Sequence, residues 1–485
     1  MAEVQLEQQW AREQQHYNSQ KMRELLGIGS SGEDDKRLSD ALQQLKCAKI
    51  LRTVVTKSGE TNETEDDDAD SSWDSRYIHK YDYCFRYVGL IQFGKRVLYI
   101  LPKYCAEVKD NAQSEARMES FRTVMRVIAR YKKEASSTGE EDSEDAWHDF
   151  LHVMVELVTD FQANGVYRVD ENINELNGKG RIMWPRTIRR VLPLMQDGRP
   201  YYMELHTRRK QADTAHIVTR LHKYLVWQAW KGLEKLHLPD LLGLPAITDP
   251  PDHEEEFTDN EYLVRIIKKE QTQRFDNRRR YLLNLMLRYL EEKDEDTTDG
   301  IYLFGKCGFH EVWEEACRAA FGMEKSTPEQ MEASKPFWDF GIKGAHSGSA
   351  LEADMIKVDG RMLTILDAKY YIPDSSKDAG KIVADMPKIQ DIIKQQLYEL
   401  ALRKKYPQVQ EVANAFILPF REEELKGDCE EYMQIGSVKI PMLSDLIVKE
   451  GKPKLKEVVL IKYPPQTIWD AYLKHGTIQI PKGGA

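Results

Sequence analysis

The chain has 485 residues, enough for two or three domains, and a hydrophobic content of 41% that is typical of globular proteins. Its polar N-terminus predicts no signal peptide, and no apolar run approaches the roughly 18 residues of a membrane span, so we expect a cytoplasmic protein without membrane contact. Six cysteines without paired C-x2-C spacing argue against a zinc ribbon and fit a reducing compartment.

The formal net charge of −10 argues against nucleic-acid binding until its distribution is considered. Residues 59–75 carry eight acids, residues 134–146 carry six, and neither segment has a Lys or Arg. Both are rich in Ser, Thr and Gly, so we interpret them as solvated loops or disordered insertions. Without these fourteen acids the net charge of −10 becomes +4, and a mildly basic remainder permits binding to nucleic acid.

The first part of the chain predicts mixed secondary structure. Residues 1–26, rich in Gln and Glu, indicate a polar helix, and residues 36–57 indicate a short helix with a strand. Tyr81 to Leu101 predicts a β-meander with Gly94 at a turn. Apolar residues at helical spacing then predict helices at 115–133 and 146–163.

A basic cluster follows residue 178. Pro185 predicts the first position of a short helix, and Tyr201 to His206 predicts a strand with a basic loop after it. Arginine forks suit phosphates and guanine edges, although a solvated positive surface is an equal alternative. Five arginines are therefore candidate DNA contacts: Arg186, Arg189, Arg190, Arg208 and Arg209.

A long helix is predicted from His216 to Lys235, followed by a linker with four prolines and an acidic run near residue 250. This composition predicts the main domain boundary. Glu261 to Glu292 predicts one or two helices with a second basic cluster that includes Arg279. Arg279 could line a DNA path, or the cluster could simply form salt bridges along the helix.

Residues 351–371 predict a β-hairpin, because Asp359-Gly360 is a strong turn signal between two runs of apolar and β-branched residues. With those two residues in the turn, Val358 pairs with Arg361. The order of helix, hairpin, helix and strand around this segment indicates a mixed α/β core.

One face of the predicted hairpin carries an unusual set of charges. Because side chains alternate, Asp354, Asp367 and Lys369 share an otherwise apolar face, with Asp354 diagonally across from Asp367. Buried charge is costly unless it is paired or bound to metal. Two carboxylates suit Mg²⁺, which activates water, and a lysine can orient that water. A surface hairpin with an ordinary salt bridge is the alternative.

The spacing Asp354-x12-Asp367-Ala-Lys369 resembles the signature of PD-(D/E)XK nucleases. More specifically, the chain resembles the nuclease component of LlaJI-type restriction systems, which are similar to McrBC systems, over residues of about 76 to 425. Seven segments carry this resemblance: 309–314, 353–356, 367–371, 394–398, 87–91, 101–104 and 180–188.

The resemblance implies further site residues and a partner. The helix before the hairpin would supply Glu314 as a third metal ligand, and the helix after it would supply Gln395 to bind the water or a phosphate. Ordinary surface roles are the alternatives for both side chains. The family works with a separate McrB-like AAA+ GTPase, and this chain, which lacks a Walker A motif, should not hydrolyse nucleotides itself.

We therefore predict an α/β protein, in which an N-terminal mixed α/β region for DNA binding or partner docking precedes a C-terminal PD-(D/E)XK nuclease domain. That domain would be a mixed sheet flanked by helices. The predicted limits are 1–75 for an N-terminal helical region with its acidic loop, 76–250 for the recognition or docking domain, 251–296 for a helical connector, and 297–485 for the nuclease domain.

The predicted function is Mg²⁺-dependent cleavage of double-stranded DNA in a restriction or phage-defence system. A repair-type nuclease and a non-catalytic DNA-binding scaffold subunit are the alternatives, and the intact Asp354, Asp367 and Lys369 count against the scaffold. The sequence leaves the recognition site, any methylation requirement and the oligomeric state open.

Overall fold

The computed structural model describes most of the chain. The first acidic segment, 59–75, lies outside the described residues, and so does the second, 134–146, except for residues 134–138, which end a helix instead of forming a loop. The described ranges are 7–54, 82–94, 96–109, 115–138, 150–213, 215–251, 256–272, 276–293, 301–339, 345–373, 385–425, 431–446 and 455–479. Within these ranges no helix is long and apolar enough to cross a bilayer.

The chain forms two compact units, which do not coincide with the predicted domain limits. Unit 1 combines Met1–His148 with Ile301–Ala485, and unit 2 is Asp149–Gly300. The prolines near residue 250 lie inside unit 2, where helices from before and after them pack together. The composition predicts a linker there. Because helices on either side of it pack together, the segment is a connection within unit 2.

Unit 1 begins with small sheets and helices. Its elements up to the start of unit 2 are β1 Glu7–Arg12, β2 His16–Tyr17, α1 Ser19–Leu26, α2 Gly32–Cys47, β3 Leu51–Val54, β4 Asp82–Phe85, β5 Tyr87–Phe93, β6 Arg96–Leu101 and α3 Glu115–Thr138. The predicted helix at 115–133 and the helix and strand within 36–57 are confirmed.

The predicted helix over 1–26 is wrong over residues 7–17, and residues 1–6 lie outside the described residues. β1 pairs in parallel with β6 and buries Trp10, whose ring lies 5.0 Å from Tyr99 and 5.7 Å from Phe121 between centroids. Burial of this aromatic residue outweighs the helical preference of Gln and Glu, since propensity is a weak prior. Among the described residues 7–26, only α1 is helical, and the side chain of Asn18 accepts a hydrogen bond from the Lys21 backbone as its N-cap.

The first sheet has the order β1-β6-β5, and β12, Ile301–Cys307, completes it at the β5 edge. β5 and β6 form a hairpin that turns at Gly94, whose φ is +55°. That turn is confirmed, but the predicted meander is not continuous, because β4 pairs with β2 and β3 in a separate sheet.

Unit 2 is a helical core with an exposed β-ribbon. Its elements are α4 Phe150–Asn164, β7 Val169–Leu176, β8 Arg181–Ile182, α5 Trp184–Arg190, β9 Leu194–Gln196, β10 Arg199–Tyr201, β11 His206–Asp213, α6 Ile217–Lys235, α7 Leu238–Leu242, α8 Asn260–Thr272 and α9 Asn277–Lys293. α4 packs against α6 and α9, and α8 packs against α9. The predicted long helix and the predicted helix pair are confirmed as α6, α8 and α9.

The part of unit 1 after residue 300 contains the second, larger sheet. Its elements are β12 Ile301–Cys307, α10 His310–Phe321, β13 Phe337–Asp339, β14 Ala345–Ser347, β15 Met355–Asp359, β16 Met362–Ala368, α11 Ile389–Lys405, β17 Glu411–Pro419, β18 Met433–Val438, α12 Pro441–Leu446, β19 Val458–Tyr463 and α13 Pro465–Lys474. The sheet order is β15-β16-β17-β19-β18, with parallel pairing in its centre and antiparallel edges. The predicted α/β class and mixed sheet are confirmed.

Candidate active site

The hairpin β15–β16 turns one residue later than predicted. Gly360, at φ +58°, is the first of its two turn residues and Arg361 is the second, so Val358 lies opposite Leu363. A glycine at the first turn position suits the twist of a tight hairpin, because it adopts positive φ without strain. The predicted pairing of Val358 with Arg361 is therefore wrong.

The shared face of the hairpin is nevertheless confirmed. Moving the turn by one residue shifts the pairing by two positions, and a shift of two keeps each side chain on its face. Ile356 lies opposite Ile365 and Met355 opposite Leu366, so continuing the register places Asp354 directly opposite Asp367 rather than diagonally across.

Asp367 and Lys369 form a largely buried ion pair. Lys369 Nζ lies 2.9 Å from Asp367 Oδ1, and the Asp367 side chain is 5% exposed. Burial raises the pKa of Asp367 well above its usual range, and the charge of Asp354 adds to this while Lys369 opposes it. Burial acts to lower the pKa of Lys369, but Asp367, Glu314 and Asp354 together raise it, so this lysine stays charged.

Glu314 lies in the same electrostatic cluster. It projects from α10, whose apolar side buries Val312 and Trp313. Burial raises its pKa to about 7, with a further increase from the charge of Asp354 and an opposing effect of Lys369. Glu314, which the family resemblance implies, is therefore electrostatically coupled to Asp354 and Lys369 of the hairpin.

Helix α11 covers the apolar part of that face, where Tyr398 and Leu402 pack with Leu363 and Ile365. Gln395 is completely buried, and neither its amide oxygen nor its nitrogen has a hydrogen-bond partner among the described residues. Burial raises the pKa of Tyr398, and the charges of Asp367 and Asp354 raise it further, which places its ring near the acids.

One acid at the site was missed by sequence reasoning. Asp391 Oδ1 lies 3.9 Å from Lys369 Nζ, and its side chain accepts a hydrogen bond from the backbone nitrogen of Lys388 at the start of α11. Its spacing of four residues before Gln395 was the available signal, because residues i and i+4 lie on one helix face.

The acids and the lysine can be compared with the needs of Mg²⁺. Within the described ranges, no three His, Cys, Asp or Glu side chains are arranged so that they could hold a metal ion as they stand. Lys369 partly balances the charges of Asp354, Asp367 and Glu314. Repulsion from Asp354 raises the pKa of Asp367 and of Glu314. Carboxylate oxygens completed by water are the ligands that Mg²⁺ prefers, so the donor set fits this ion.

The predicted DNA contacts on α5 are only partly exposed. α5 is held against β11, where the backbone nitrogen of His206 donates to Thr187 Oγ1 at 3.0 Å. Arg189 and Arg190 are exposed, whereas Arg186 is half-buried. α5 begins at Trp184, one residue before the predicted proline.

Arg208 and Arg209 do not form one patch. The predicted strand at Tyr201–His206 is wrong, because β11 runs from His206 to Asp213 and pairs with β7 over its whole length. Neighbouring residues of a strand project from opposite faces. Arg208 Nε donates to Asn174 Oδ1 at 3.2 Å, while Arg209 pairs with Glu175 at 2.9 Å.

Arg279 lies on a different element, in the first turn of α9. It lines a cavity of about 270 Å³ together with Arg168 and Arg278. Arg278 is paired with Asp160 at 3.1 Å, so one of these guanidinium groups has a local partner.

The segment around α5 in unit 2 exposes apolar side chains that sequence reasoning missed. Isolated exposed apolar residues are ordinary, but a contiguous group in a short segment indicates an interaction site. Eight large side chains between residues 176 and 203 are 49–94% exposed: Leu176, Trp184, Ile188, Leu192, Leu194, Met195, Tyr201 and Met203.

The fold and site define an α/β protein with an acid and lysine cluster on one face of a sheet hairpin. The chain belongs to the LlaJI restriction endonuclease family, whose profile matches residues 87–452. It is 27% identical over 415 residues to the Type II restriction enzyme BsuMI component YdjA of Bacillus subtilis (strain 168), covering 82% of each chain. The predicted family is confirmed.

A solved structure also matches most of the chain. It is the refined half-complex from the tetradecameric assembly of Thermococcus gammatolerans McrB AAA+ hexamers with bound McrC. The match covers 96% of this chain and 99% of that chain at 14% identity, with a TM-score of 0.38.

Proposed function

We propose that this restriction endonuclease family member cleaves double-stranded DNA in a Mg²⁺-dependent reaction at the hairpin β15–β16. The observation that supports the proposal is the buried ion pair of Asp367 with Lys369 on the hairpin, which is electrostatically coupled to Asp354 and to Glu314 of α10. The PD-(D/E)XK type is part of the same proposal, because the acid, acid and lysine spacing is that of its signature.

Asp354 and Asp367 would hold the ion, with Glu314 as a third or water-mediated ligand. When bound, Mg²⁺ polarises the scissile phosphate and makes a water molecule more acidic. Lys369 keeps its proton, so it acts as a charged donor that orients the water and offsets negative charge developing on the phosphate. Glu314, with a pKa of about 7, is suited to accept a proton from that water.

Gln395 adds a neutral donor and acceptor. Its buried amide has no partner among the described residues, and such a group is costly unless it finds one. A water molecule or a phosphate oxygen at the site would satisfy it. We therefore include Gln395 as a residue that orients the reacting groups.

The direct test is cleavage of supercoiled plasmid DNA by the purified chain, with Mg²⁺ or with EDTA, and with and without a purified McrB-like AAA+ GTPase. We expect linear or nicked products only with Mg²⁺. Equal cleavage in EDTA would reject the metal, and no cleavage under any of these conditions would reject the nuclease.

We further propose that the exposed apolar surface at residues 176–203 docks a partner subunit, with a McrB-like AAA+ GTPase as the predicted partner. Two observations support this. The apolar surface is exposed, and the Bacillus relative is one component of a restriction enzyme. Direct DNA reading by Arg189 and Arg190 is the competing role, because both side chains are exposed beside it.

The two roles are separated by a pair of variants. Leu192→Asp should weaken binding to the AAA+ subunit without changing DNA affinity, whereas Arg189→Ala with Arg190→Ala should leave subunit binding intact. If the arginine variant alone lost sequence-specific gel shifts, direct DNA reading would replace docking as the role of this surface.

A further inference from the structure

The chain segment directly after Lys369 enters a buried polar contact with the N-terminal strands. Tyr370 OH donates a hydrogen bond of 2.9 Å to Glu13 Oε2. The backbone nitrogen of Lys103 donates to the same oxygen at 3.2 Å. Glu13 and Tyr370 are 4% and 7% exposed, so this contact is shielded from water. Glu13 follows β1, and Lys103 lies two residues beyond β6.

A second contact joins the same parts of unit 1. Lys103 Nζ lies 3.1 Å from Asp385 Oδ2, and that oxygen also accepts a hydrogen bond of 2.8 Å from the backbone nitrogen of Ile372. Lys103 Nζ lies 4.9 Å from the centre of the Tyr370 ring, within range of a cation–π contact. The segment 370–372 is therefore fixed at two points, by Glu13 at Tyr370 and by Asp385 at Ile372.

The rings around Tyr370 leave it little freedom. Phe309 packs edge-on at 5.6 Å and Tyr104 at 6.4 Å between centroids. On the other side of the strand, the backbone nitrogen of Lys369 donates to the carbonyl of Ile417 at 2.9 Å. The backbone at Lys369 is thus held by β17 while its neighbour is held by Glu13.

Burying Glu13 is costly, because removing a carboxylate from water is only repaid by close partners. Burial raises the pKa of Glu13, while the charge of Lys103 and the hydrogen bond from Tyr370 lower it. An apolar pair of similar volume would stabilise the fold at least as well. A polar contact at this place supports a role in fixing one geometry rather than in adding stability.

We infer that Glu13 and Tyr370 are positioning residues for Lys369. The inference rests on the proposed nuclease function, since it concerns the lysine of that site. Lys369 and Tyr370 are consecutive residues of an extended segment, so their side chains project in opposite directions. Fixing the hydroxyl of Tyr370 fixes the rotation of the segment, which sets the ammonium of Lys369 at 2.9 Å from Asp367.

The test compares two buried tyrosines that each donate to a glutamate in unit 1. Tyr370→Phe removes the hydrogen bond to Glu13, and Tyr472→Phe removes a bond of 2.5 Å to Glu134 as the matched control. Two properties are measured in the full chain: the single-turnover cleavage rate at saturating DNA with Mg²⁺, and the rate at which an amine-specific reagent labels Lys369.

We expect Tyr370→Phe to lower the single-turnover rate by about tenfold with unchanged DNA affinity, because small misplacements of a catalytic group have effects of this size or larger. Labelling of Lys369 should become severalfold faster as its contact with Asp367 loosens. Glu13→Ala should act in the same way, and Glu13→Gln, which keeps an acceptor for Tyr370, should recover much of the rate. Tyr472→Phe should change neither property.

A cleavage rate and a labelling rate for Tyr370→Phe equal to those of Tyr472→Phe would overturn the inference. If Glu13→Ala does not fold, Tyr370→Phe and Glu13→Gln carry the test, since both keep the packing. If the unsubstituted chain cleaves no DNA, the proposed function has failed instead. Labelling of Lys369 then decides the positioning role by itself.

Discussion

Asp354 lies directly opposite Asp367 when the register of the hairpin β15–β16 is continued by one residue. Burial of Asp367 raises its pKa, and the charge of Asp354 raises it further. A divalent cation held by these two residues would offset the repulsion between their carboxyl groups. The same arrangement should therefore lower the stability of the metal-free protein and favour metal binding.

Asp367→Asn should abolish cleavage without unfolding the chain. We expect the rate to fall by about a hundredfold or more, because one anionic ligand is lost. The free energy of unfolding without metal should stay equal or rise by about 1 kcal/mol, because a buried, repelled carboxyl is neutralised. Asp354→Asn should behave alike, and Asp359→Asn, at the exposed end of β15, is the control. Undiminished cleavage by both Asp354→Asn and Asp367→Asn would reject the proposed active site.

Lys369→Ala should separate catalysis from binding. Cleavage should drop sharply while DNA affinity stays nearly constant, since one cation among many phosphate contacts is lost. Lys357→Ala, on the exposed side of the same hairpin, should change neither property. Single-turnover rates and gel-shift titrations measure the two effects. A collapse of affinity with a normal rate for bound enzyme would make Lys369 a binding residue.

Binding of Mg²⁺ should be linked to protons through Glu314. The pKa of this carboxyl is raised to about 7, so it is largely protonated at pH 6 and ionised at pH 8. A metal ligand must be deprotonated, so affinity should increase from pH 6 to pH 8. Calorimetry in buffers of different ionisation enthalpy counts the protons released.

Glu314→Gln should flatten this pH dependence. Glu315→Gln, which alters the neighbouring acid paired with Arg318, should leave it unchanged. An equal pH dependence in the Glu314→Gln variant would exclude this carboxyl from the metal site.

Unit 2 should lose stability in mild acid through His222. This ring is fully buried, accepts a hydrogen bond of 2.9 Å from the backbone nitrogen of Tyr167, and has its pKa lowered from 6.5 to about 4 by burial. Protonation therefore favours the unfolded state. The stabilisation is complete above pH 6.5 and is lost as the pH falls toward 4, by up to about 1.4 kcal/mol per pH unit.

Amide hydrogen exchange of α4 and α6 at pH 5 and pH 7, corrected for intrinsic rates, measures this effect. The difference should shrink in His222→Gln and persist in the control His237→Gln, at an exposed site. An unchanged difference in His222→Gln would assign the pH dependence to other groups.

A fragment of residues 251–485 should not fold, although composition places a domain boundary at its start. It would contain β12 without β5, its partner over seven residue pairs, and α9 without α4. We expect no cooperative thermal transition by circular dichroism, in contrast to the full chain. A sharp transition in the fragment would show that unit 1 does not need its N-terminal strands.

The sequence alone determined the features that depend on near neighbours. Alternation along a strand placed Asp354, Asp367 and Lys369 on one face even though the predicted turn was one residue early, since that error preserves the faces. Apolar spacing likewise predicted α3 and α4, because a helix buries one stripe wherever it packs. Glu314 and Gln395 came from family resemblance, and their roles stay predictions.

Tertiary structure decided what depends on distant partners. Residues 7–12 form a strand because β6 offers an edge and a pocket for Trp10, which local propensity cannot reveal. Pairing with β7 likewise sends Arg208 and Arg209 to opposite faces. The contact of Glu13 with Tyr370 spans 357 positions and exists only after both sheets have formed. Sequence patterns encode periodicity, whereas such contacts depend on which surfaces the folded chain brings together.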